Sequence, residues 1–439
     1  MKAVFMCIGF VCAVVVAVAV YVWHNTQDVA EPDVSRFVNA VETPSDAENV
    51  LCGLVAATNA IKWTIGDVDY HDVMRRQNFE LAPQQREAVF SANASAFKLI
   101  HEAAQRKAWC APEWSMNSGI AAMPVSAFAD IIHLDSLQAE YLLGHGDVDA
   151  VTEVVSDLLL LARKIEHDAE NLVTWILANG AHGAATKIAL KVVASGKATE
   201  EELSKLQHVL RQFEFATRKE RLRRMLNNEL FHFMHMQRLL KLKSPDNAEV
   251  EQLFSRRIGP FPFSYAYHPN RTRVMFIKSL DKAWELLRHD YDEAAWAAWN
   301  GFHDEEHQPG KKKDYGPNFI GRTVLLPMAP EWKGVAESLA TSSFRHCAVE
   351  VVVAAQRFKY KTGAYPRMLA ELVPAYLSSV PEDPFGHGAE MKYDVERGIV
   401  WTVGKEGNFN GDLANDKSDP NRRKNLKYVY RLDGSTSEN

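Results

Sequence analysis

Two histidines in the second half of the chain have a spacing that could bind a metal ion. His303 and His307 lie four residues apart in the stretch HDEEH, so on a helix both imidazoles would face one side. The stretch fits the pattern H-x-x-E-H of zinc-dependent hydrolases, with Glu306 as the general base. Pro309 and Gly310 follow at once and favour a solvated helix end. A zinc-dependent hydrolase that uses His303, Glu306 and His307 remains the alternative function.

A second pair of histidines lies in the stretch FHFMHM. His232 follows Glu229 by three residues, and Glu-x-x-His is a ligand pattern of metal sites in carboxylate bundles. Such sites need a second helix with the same pattern, and the sequence has no second copy. We therefore interpret His232 and His235 as core or boundary residues. Since the sequence also lacks G-x-S-x-G and phosphate-binding glycine motifs, it predicts no catalytic constellation.

The composition is that of a globular protein rather than a nucleic-acid-binding one. The chain has 439 residues, a net charge of -6, 47% hydrophobic and 24% charged residues, and its length predicts two or three domains. Phosphate binding usually requires a dominant basic surface, so no nucleic-acid partner is expected. The basic stretch 217–225 is interpreted as a solvated helix face whose Leu222, Met225 and Leu226 point to the core.

The five cysteines do not form a recognisable framework. Cys7 and Cys12 lie in the apolar amino-terminal run, and Cys52, Cys110 and Cys347 are scattered beyond it. None has the spacing of a zinc site or of a disulfide-rich scaffold. One disulfide among the last three stays open.

The amino terminus predicts a transmembrane anchor. The residues from Ala3 to Trp23 carry no charge, and a helix of that length spans about 30 Å, the thickness of one hydrocarbon core. Lys2 precedes the run and acidic residues follow it, which places the start in the cytoplasm. A signal peptide cleaved near residues 17–19 is the alternative. We expect a single-pass protein of the cell membrane, with its bulk periplasmic or extracytoplasmic.

Behind the predicted anchor, 1–24, and a linker, 25–48, the pattern is helical. Apolar residues recur every three or four positions, which predicts one helical domain over 49–335, as a bundle or an irregular solenoid. Helices are expected over Arg86–Trp109, Val148–Ile165, Leu172–Val193, Glu201–Thr217, Glu220–Leu242 and Arg273–Phe302. Boundaries between helical segments are expected at Gly144, Gly146, Gly180, Gly183 and Gly196. Asp147 is expected to cap the helix that follows it.

The carboxyl-terminal part predicts a small α+β domain over 336–432, followed by a disordered tail, 433–439. An apolar stripe from Phe344 onwards predicts a helix that ends at Gly363, before Pro366. A short second helix should follow, and then three strands in the stretches MKYDV, GIVWTVG and NLKYVYRL. The fold class is therefore mostly α, with a helix backed by a small antiparallel sheet at the end.

This last part resembles the globular domain of the major pseudopilins of type II secretion systems. The resemblance covers about the last ninety residues and is carried by Tyr360, Gly363, Tyr365, Pro366, Leu372, Val373, Asp383, Pro384, Phe385 and Gly386. It implies the helix-and-sheet fold and protein partners in a secretion-related assembly. The preceding region is similar to helical regions of membrane-anchored bacterial envelope proteins. Val14 stands where pseudopilins have a glutamate, so assembly into a filament is not expected.

The resemblance also implies a calcium site in the loop after the sheet. The matching segment is GNFNGDLANDKSD, whose oxygen-bearing side chains are those that calcium prefers. The expected ligands are Asn408, Asn410, Asp412 and Asp416, with Asn415 and Asp419 nearby. An exposed turn rich in Asn, Asp and Gly is the alternative. Taken together, these features predict a membrane-anchored envelope protein with a scaffolding role and no enzymatic activity.

Overall fold

The computed structural model describes most of the chain after the amino terminus. Described are residues 16, 20, 27–37, 44–65, 68–69, 81–110, 124–168, 171–213, 218–242, 267–299, 318, 332–412 and 425–435. In these residues the protein is mostly helical and ends in a small antiparallel sheet, as the sequence predicts.

The helices are numbered in chain order. Those of the first half are α1 Val50–Ala60, α2 Pro83–Ala92, α3 Ala94–Ala104, α4 Val125–His145, α5 Val148–His167, α6 Leu172–Ser195 and α7 Glu200–Arg211. Those of the second half are α8 Arg218–Leu242, α9 Pro269–Leu287, α10 Glu293–Ala298 and α11 Trp332–Thr362. Short 3-10 turns cover Ser35–Phe37, Leu369–Leu372 and Leu426–Tyr428.

The strands form two antiparallel sheets. A two-residue ribbon pairs β1, Thr64–Ile65, with β2, Val68–Asp69. The larger sheet has the order β3-β4-β5, with β3 Lys392–Asp394, β4 Ile399–Trp401 and β5 Val429–Arg431. These are the three predicted strands. Tyr393 lies opposite Val400, and Val400 opposite Tyr430, so the register places the buried Val400 in the centre of the sheet.

Hydrogen bonds to the Asp383 side chain connect the Asp-Pro-Phe-Gly turn with the end of strand β4. Its buried carboxylate accepts hydrogen bonds from the Thr402 hydroxyl at 2.5 Å and from the backbone N–H of Val403 at 2.9 Å. It also accepts one from the N–H of Phe385 at 3.0 Å. Since each buried carboxylate oxygen has a donor, this acidic residue is part of the core rather than a free ligand.

Helix α11 joins the carboxyl-terminal sheet to the helical region. It packs against α6 and α7 on one side and against β4 and β5 on the other. One apolar cluster accordingly runs from Val50 in α1, through Leu158 in α5 and Val352 in α11, to Leu432. A second cluster connects α8 and α9 with Trp332 and Tyr428.

The predicted helix Arg86–Trp109 is divided in two at Asn93. The Asn93 side chain is buried, and its amide donates to the carbonyl oxygens of Val89 at 2.9 Å and Lys62 at 3.1 Å. Its Oδ1 accepts from the N–H of Lys62 at 2.8 Å. The prediction of one continuous helix was wrong because this contact with the β1 region satisfies backbone groups at the break.

The predicted helix Arg273–Phe302 is also interrupted within its described part. Helix α9 ends at Leu287, and Asp292 begins α10 by accepting from the N–H of Ala295 at 3.0 Å. Between them, the N–H of Tyr291 donates to the carbonyl of Pro384. A long-range contact and a local cap together end the helix.

The glycines of the helical region act in two different ways. Gly146, Gly196 and Gly363 have positive φ angles and close α4, α6 and α11, as expected. Gly144, Gly180 and Gly183 lie inside helices, so the expectation that they separate segments was wrong. At Gly183 a Cβ atom would lie 2.8 Å from Nη1 of Arg345, the end of a side chain that extends from α11 towards α6. Asp147 caps α5 as predicted.

The predicted anchor lies outside the described residues, apart from Val16 and Val20. Among the helices that the structure describes, none combines the length and apolar character needed to cross a bilayer. Cys52, Cys110 and Cys347 are not joined to one another by a disulfide. In the basic stretch, Leu222, Met225 and Leu226 are buried, as expected.

Residues 28–37, which directly follow the predicted anchor, lie against helix α9. Asp28 accepts hydrogen bonds from the backbone N–H groups of Asn270 and Arg271. Glu31 pairs with Arg273 at 2.6 Å, and Arg36 pairs with Asp281 at 2.7 Å. Phe37 is buried in the apolar cluster of α8 and α9. This part of the predicted linker therefore has fixed partners in the helical region.

Candidate functional site

A cavity of about 250 Å³ opens between helices α3, α4 and α5. Phe97 and Ile100 of α3 and Val154 of α5 form apolar walls. We call this space the α3–α5 cavity. Because it is slightly smaller than the pockets that hold drug-sized molecules, it suits a small ligand.

Five titratable side chains line the α3–α5 cavity, among them Lys98 of α3 and Glu153 of α5. The other three come one from each helix: His101 of α3, Asp135 of α4 and Asp157 of α5. Asp135 and Asp157 are surrounded by apolar residues: Ile131 and Leu134 precede Asp135, and Leu158 follows Asp157, all fully buried. His101 is half-exposed. The packing of these apolar faces is what brings the three polar groups into one place.

His101 and Asp157 form a close pair. Nδ1 of His101 lies 2.7 Å from Oδ2 of Asp157, and the Gln105 amide donates to Oδ1 at 3.0 Å. The hydrogen bond and charge of Asp157 raise the pKa of the imidazole, so the pair favours imidazolium. Burial raises the pKa of the Asp157 carboxyl despite the opposing effect of His101.

Asp135 is the deepest polar group of the cavity. Only 2% of its surface is exposed, and its Oδ2 has no hydrogen-bond partner. Burial, followed by the charge of Asp157, raises the pKa of the Asp135 carboxyl well above its usual value. A buried carboxyl without a donor is costly, and in folded proteins such groups mark places where a ligand or a proton is exchanged.

The arrangement separates two carboxyls by their environments. Asp157 is paired with the imidazole of His101, whereas burial and the charge of Asp157 favour the protonated form of Asp135. A neutral acid beside an ionised one can donate a hydrogen bond, release a proton or, once ionised, bind a cation. The cavity is therefore a candidate binding site whose most deeply buried polar residue, Asp135, can gain or lose a proton.

The predicted calcium loop is described only in part. Oδ1 of Asp412 accepts from Nη2 of Arg397 at 2.6 Å, and Oδ2 accepts from the Asn410 amide at 2.8 Å. Nη1 of Arg397 also donates to the carbonyl of Asn410. Carboxylate and amide oxygens are the ligands that calcium prefers. The Arg397 guanidinium, however, already contacts the carboxylate of Asp412 that would have to bind the ion. Asn408 is exposed, and Asp416 lies outside the described residues, as do Asn415 and Asp419.

Of the two histidine motifs, only the one around His232 lies among the described residues. His303, Glu306 and His307 lie outside the described residues, so the zinc hydrolase stays an untested alternative. In the other motif His232 is buried, as expected, and Glu229 accepts a hydrogen bond from the backbone N–H of Leu172. Burial raises the pKa of Glu229 to about 7. Within the part of the chain that the structure describes, no three His, Cys, Asp or Glu residues are grouped to hold a metal ion.

The sequence did not reveal the α3–α5 cavity, because its polar groups are 34 and 22 residues apart on separate helices. The available signal is an acidic residue at a position where the helical period demands an apolar one. Asp135 and Asp157 both have this property.

The chain was compared with known families and proteins. No family model, no curated protein and no solved structure matches it. The resemblance to pseudopilins therefore stays a prediction from the residues that carry it.

Proposed function

We propose that this protein is a membrane-anchored envelope scaffold, whose helical region and pseudopilin-like carboxyl-terminal part bind protein partners, as in a type II secretion-like assembly. The uncharged run from Ala3 to Trp23 supports the anchor. The bulk of the chain is placed on the extracytoplasmic side by the charge on Lys2. The helix-and-sheet arrangement of residues 332–432 agrees with what the resemblance implies.

The observation that carries this proposal is the attachment of residues 28–37 to helix α9. Asp28, Glu31 and Arg36 each contact α9 within about a dozen residues of the predicted anchor. A chain that leaves a membrane and docks at once cannot place its folded part far from the bilayer. With an anchor before residue 25, this attachment would keep the helical region near the membrane surface, as a scaffold requires.

The carboxyl-terminal part is attached to the helical region by charged groups as well as by apolar packing. Arg357 of α11 donates to Glu200 at 2.9 Å and to Gln207 at 2.7 Å. Within the carboxyl-terminal part itself, Glu337 of α11 pairs with Lys427 at 2.7 Å and with Lys405 at 3.4 Å. Pairs that are partly buried and linked to apolar packing restrict relative movement. This favours a platform in which both parts act together.

We further propose that the segment GNFNGDLANDKSD binds calcium. Asn408, Asn410, Asp412 and Asp416 would supply oxygen ligands, and the ion would have to displace Arg397 from Asp412. The competition makes occupancy dependent on conditions rather than permanent.

The experiment places a photo-cross-linking amino acid at Met368 in the full-length protein in its native membranes. Met368 is 58% exposed in the carboxyl-terminal part. The matched control carries the same amino acid at Glu201, which is exposed on α7. A second control lacks residues 1–24.

A scaffold predicts one discrete protein adduct at Met368, absent from the Glu201 control and lost when the anchor is deleted. Membrane sedimentation after alkaline washing should retain the full-length protein. The proposal fails if the washed protein leaves the membrane fraction, or if the Met368 adducts are the same with and without the anchor.

A further inference from the structure

At the floor of the α3–α5 cavity, a buried side-chain oxygen lacks a hydrogen-bond partner. Asp135 is 2% exposed, lines the cavity, and has no partner for Oδ2 among the described residues. A buried carboxyl oxygen without a donor destabilises the folded state. A ligand that donates a hydrogen bond to this oxygen would remove that cost. The same hydrogen bond would make the cavity selective for such a ligand.

The charges around the cavity favour a cation. Helix α3 contributes Lys98 and His101, and α5 contributes Glu153 and Asp157, while Asp135 is the charged cavity residue of α4. His101 is already paired with Asp157. Lys98 is 77% exposed and points to Glu102, at 3.8 Å. Neither Asp135 on the floor nor Glu153 at the exposed rim forms an ion pair within the described part of the chain.

The walls require that this cation also has an apolar part. Phe97 and Val154 are buried and line the cavity, as do Leu142 and Ala150. An inorganic ion would leave these walls without contacts, and the cavity residues do not form a group that could hold a metal. A short alkyl or aryl chain would fill the space and gain roughly 25 cal/mol for each Å² of apolar surface removed from water.

We propose that the α3–α5 cavity binds a small amphipathic amine, with its ammonium group on Asp135 and its apolar part between Phe97, Ile100 and Val154. The ammonium has three donors, so it can donate to Oδ2 of Asp135 and to the side-chain oxygen of Gln138, which also lines the cavity. The volume of about 250 Å³ accommodates a compound of metabolite size. The site is separate from the scaffold role proposed above and does not depend on it.

Ligand binding should be coupled to a proton. Asp135 must ionise before it can pair with an ammonium group, and burial together with Asp157 opposes that ionisation. Binding therefore releases a proton from Asp135, and affinity should increase as the pH rises. The other charged groups that face the cavity are Lys98, His101 and Glu153. The pair of His101 with Asp157 keeps a second carboxylate from competing for the amine.

The test measures binding of n-butylammonium to the full-length protein in nanodiscs by isothermal titration calorimetry, with empty nanodiscs as the blank. The neutral isostere 1-butanol is the comparison ligand. Two buffers with different ionisation enthalpies report proton release. Asp135→Asn keeps the size of the side chain but removes its charge, and Ala150→Leu fills the cavity without changing any charge. Glu201→Gln, exposed on α7, is the matched control.

The expected result is saturable binding of n-butylammonium at least tenfold tighter than that of 1-butanol. Asp135→Asn and Ala150→Leu should each weaken it at least tenfold, and Glu201→Gln by less than twofold. Affinity should rise with pH, with release of a fraction of a proton. Equal affinity for amine and alcohol, unchanged affinity in folded Asp135→Asn, or no saturable amine binding would each overturn the proposal. Should Asp135→Asn not fold, the Ala150→Leu result decides.

Discussion

Oδ1 of Asp28 accepts a hydrogen bond from the backbone N–H of Arg271 at 2.9 Å, although 243 residues separate them in the chain. Its Oδ2 accepts from the N–H of Asn270 at 2.7 Å. His268, at the N-cap position of α9, makes no side-chain hydrogen bond there. Asp28 therefore supplies the cap that the helix lacks locally, and the positive end of the helix dipole favours its charge.

Replacing Asp28 should destabilise the folded protein. Asp28→Ala removes both cap hydrogen bonds and is expected to lower the free energy of unfolding by about 1 kcal/mol, or the Tm by roughly 2 °C. Asp33→Ala is the control, because Asp33 accepts a local hydrogen bond from the nearby Ser35 N–H rather than capping α9. Differential scanning fluorimetry of both variants checks the prediction. Equal melting temperatures for Asp28→Ala and wild type would show that the cap contributes nothing.

The sequence predicts the elements of this fold better than their interruptions. Apolar residues at helical spacing locate α5, α6 and α11, because each of these helices is buried over much of its length. The break at Asn93 depends on Lys62, and the end of α9 depends on Pro384. Such contacts join distant parts of the chain, and periodicity contains no information about them.

The pair of His101 and Asp157 should make stability depend on pH. Its partner raises the pKa of His101 above the unfolded value of 6.5, so the folded state binds the proton more tightly. The stabilisation is complete below about pH 6.5 and is lost as the pH rises through the folded pKa. His101→Gln should therefore lower the Tm at pH 6 and have a smaller effect at pH 9. A Tm difference that is the same at both pH values would contradict this assignment.

Asp135 should reduce stability at neutral pH. Its pKa is raised in the folded state, so the stability of wild type falls as the pH rises above about 3.8, the unfolded value. Asp135→Asn removes the buried carboxyl and should raise the free energy of unfolding by about 1–3 kcal/mol at pH 8, with no gain near pH 3.5. Denaturant unfolding at the two pH values measures this. A variant less stable than wild type at pH 8 would refute it.

The calcium proposal can be separated from a simple turn through Arg397. A hundredfold excess of calcium over its Kd would stabilise the folded state by about 2.7 kcal/mol. Arg397→Gln removes the cation that competes for Asp412, so its calcium affinity should exceed that of wild type. Asp412→Ala with Asp416→Ala should abolish the effect. Identical melting curves in calcium and EDTA, for wild type and for Arg397→Gln, would leave the loop as a turn.

The candidate site is less predictable from sequence than the fold. HDEEH and GNFNGDLANDKSD attract notice because their polar residues are close in sequence. His101, Asp135 and Asp157 become a site only when α3, α4 and α5 pack, and each alone looks like an ordinary helix residue. A carboxyl on a buried helix face is the physical signal, because folding tolerates its cost only where something offsets it.

The most direct test of the scaffold proposal measures whether residues 28–37 are fixed to α9 in the membrane-bound protein. Spin labels at Val29→Cys and Glu285→Cys, both at exposed positions, are placed in a full-length variant without native cysteines and reconstituted in nanodiscs. Double electron–electron resonance gives the distribution of distances between them. A docked segment predicts one narrow distribution that broadens when Asp28→Ala and Arg36→Ala are added. A broad distribution in the starting protein, unchanged by those substitutions, would contradict the central claim.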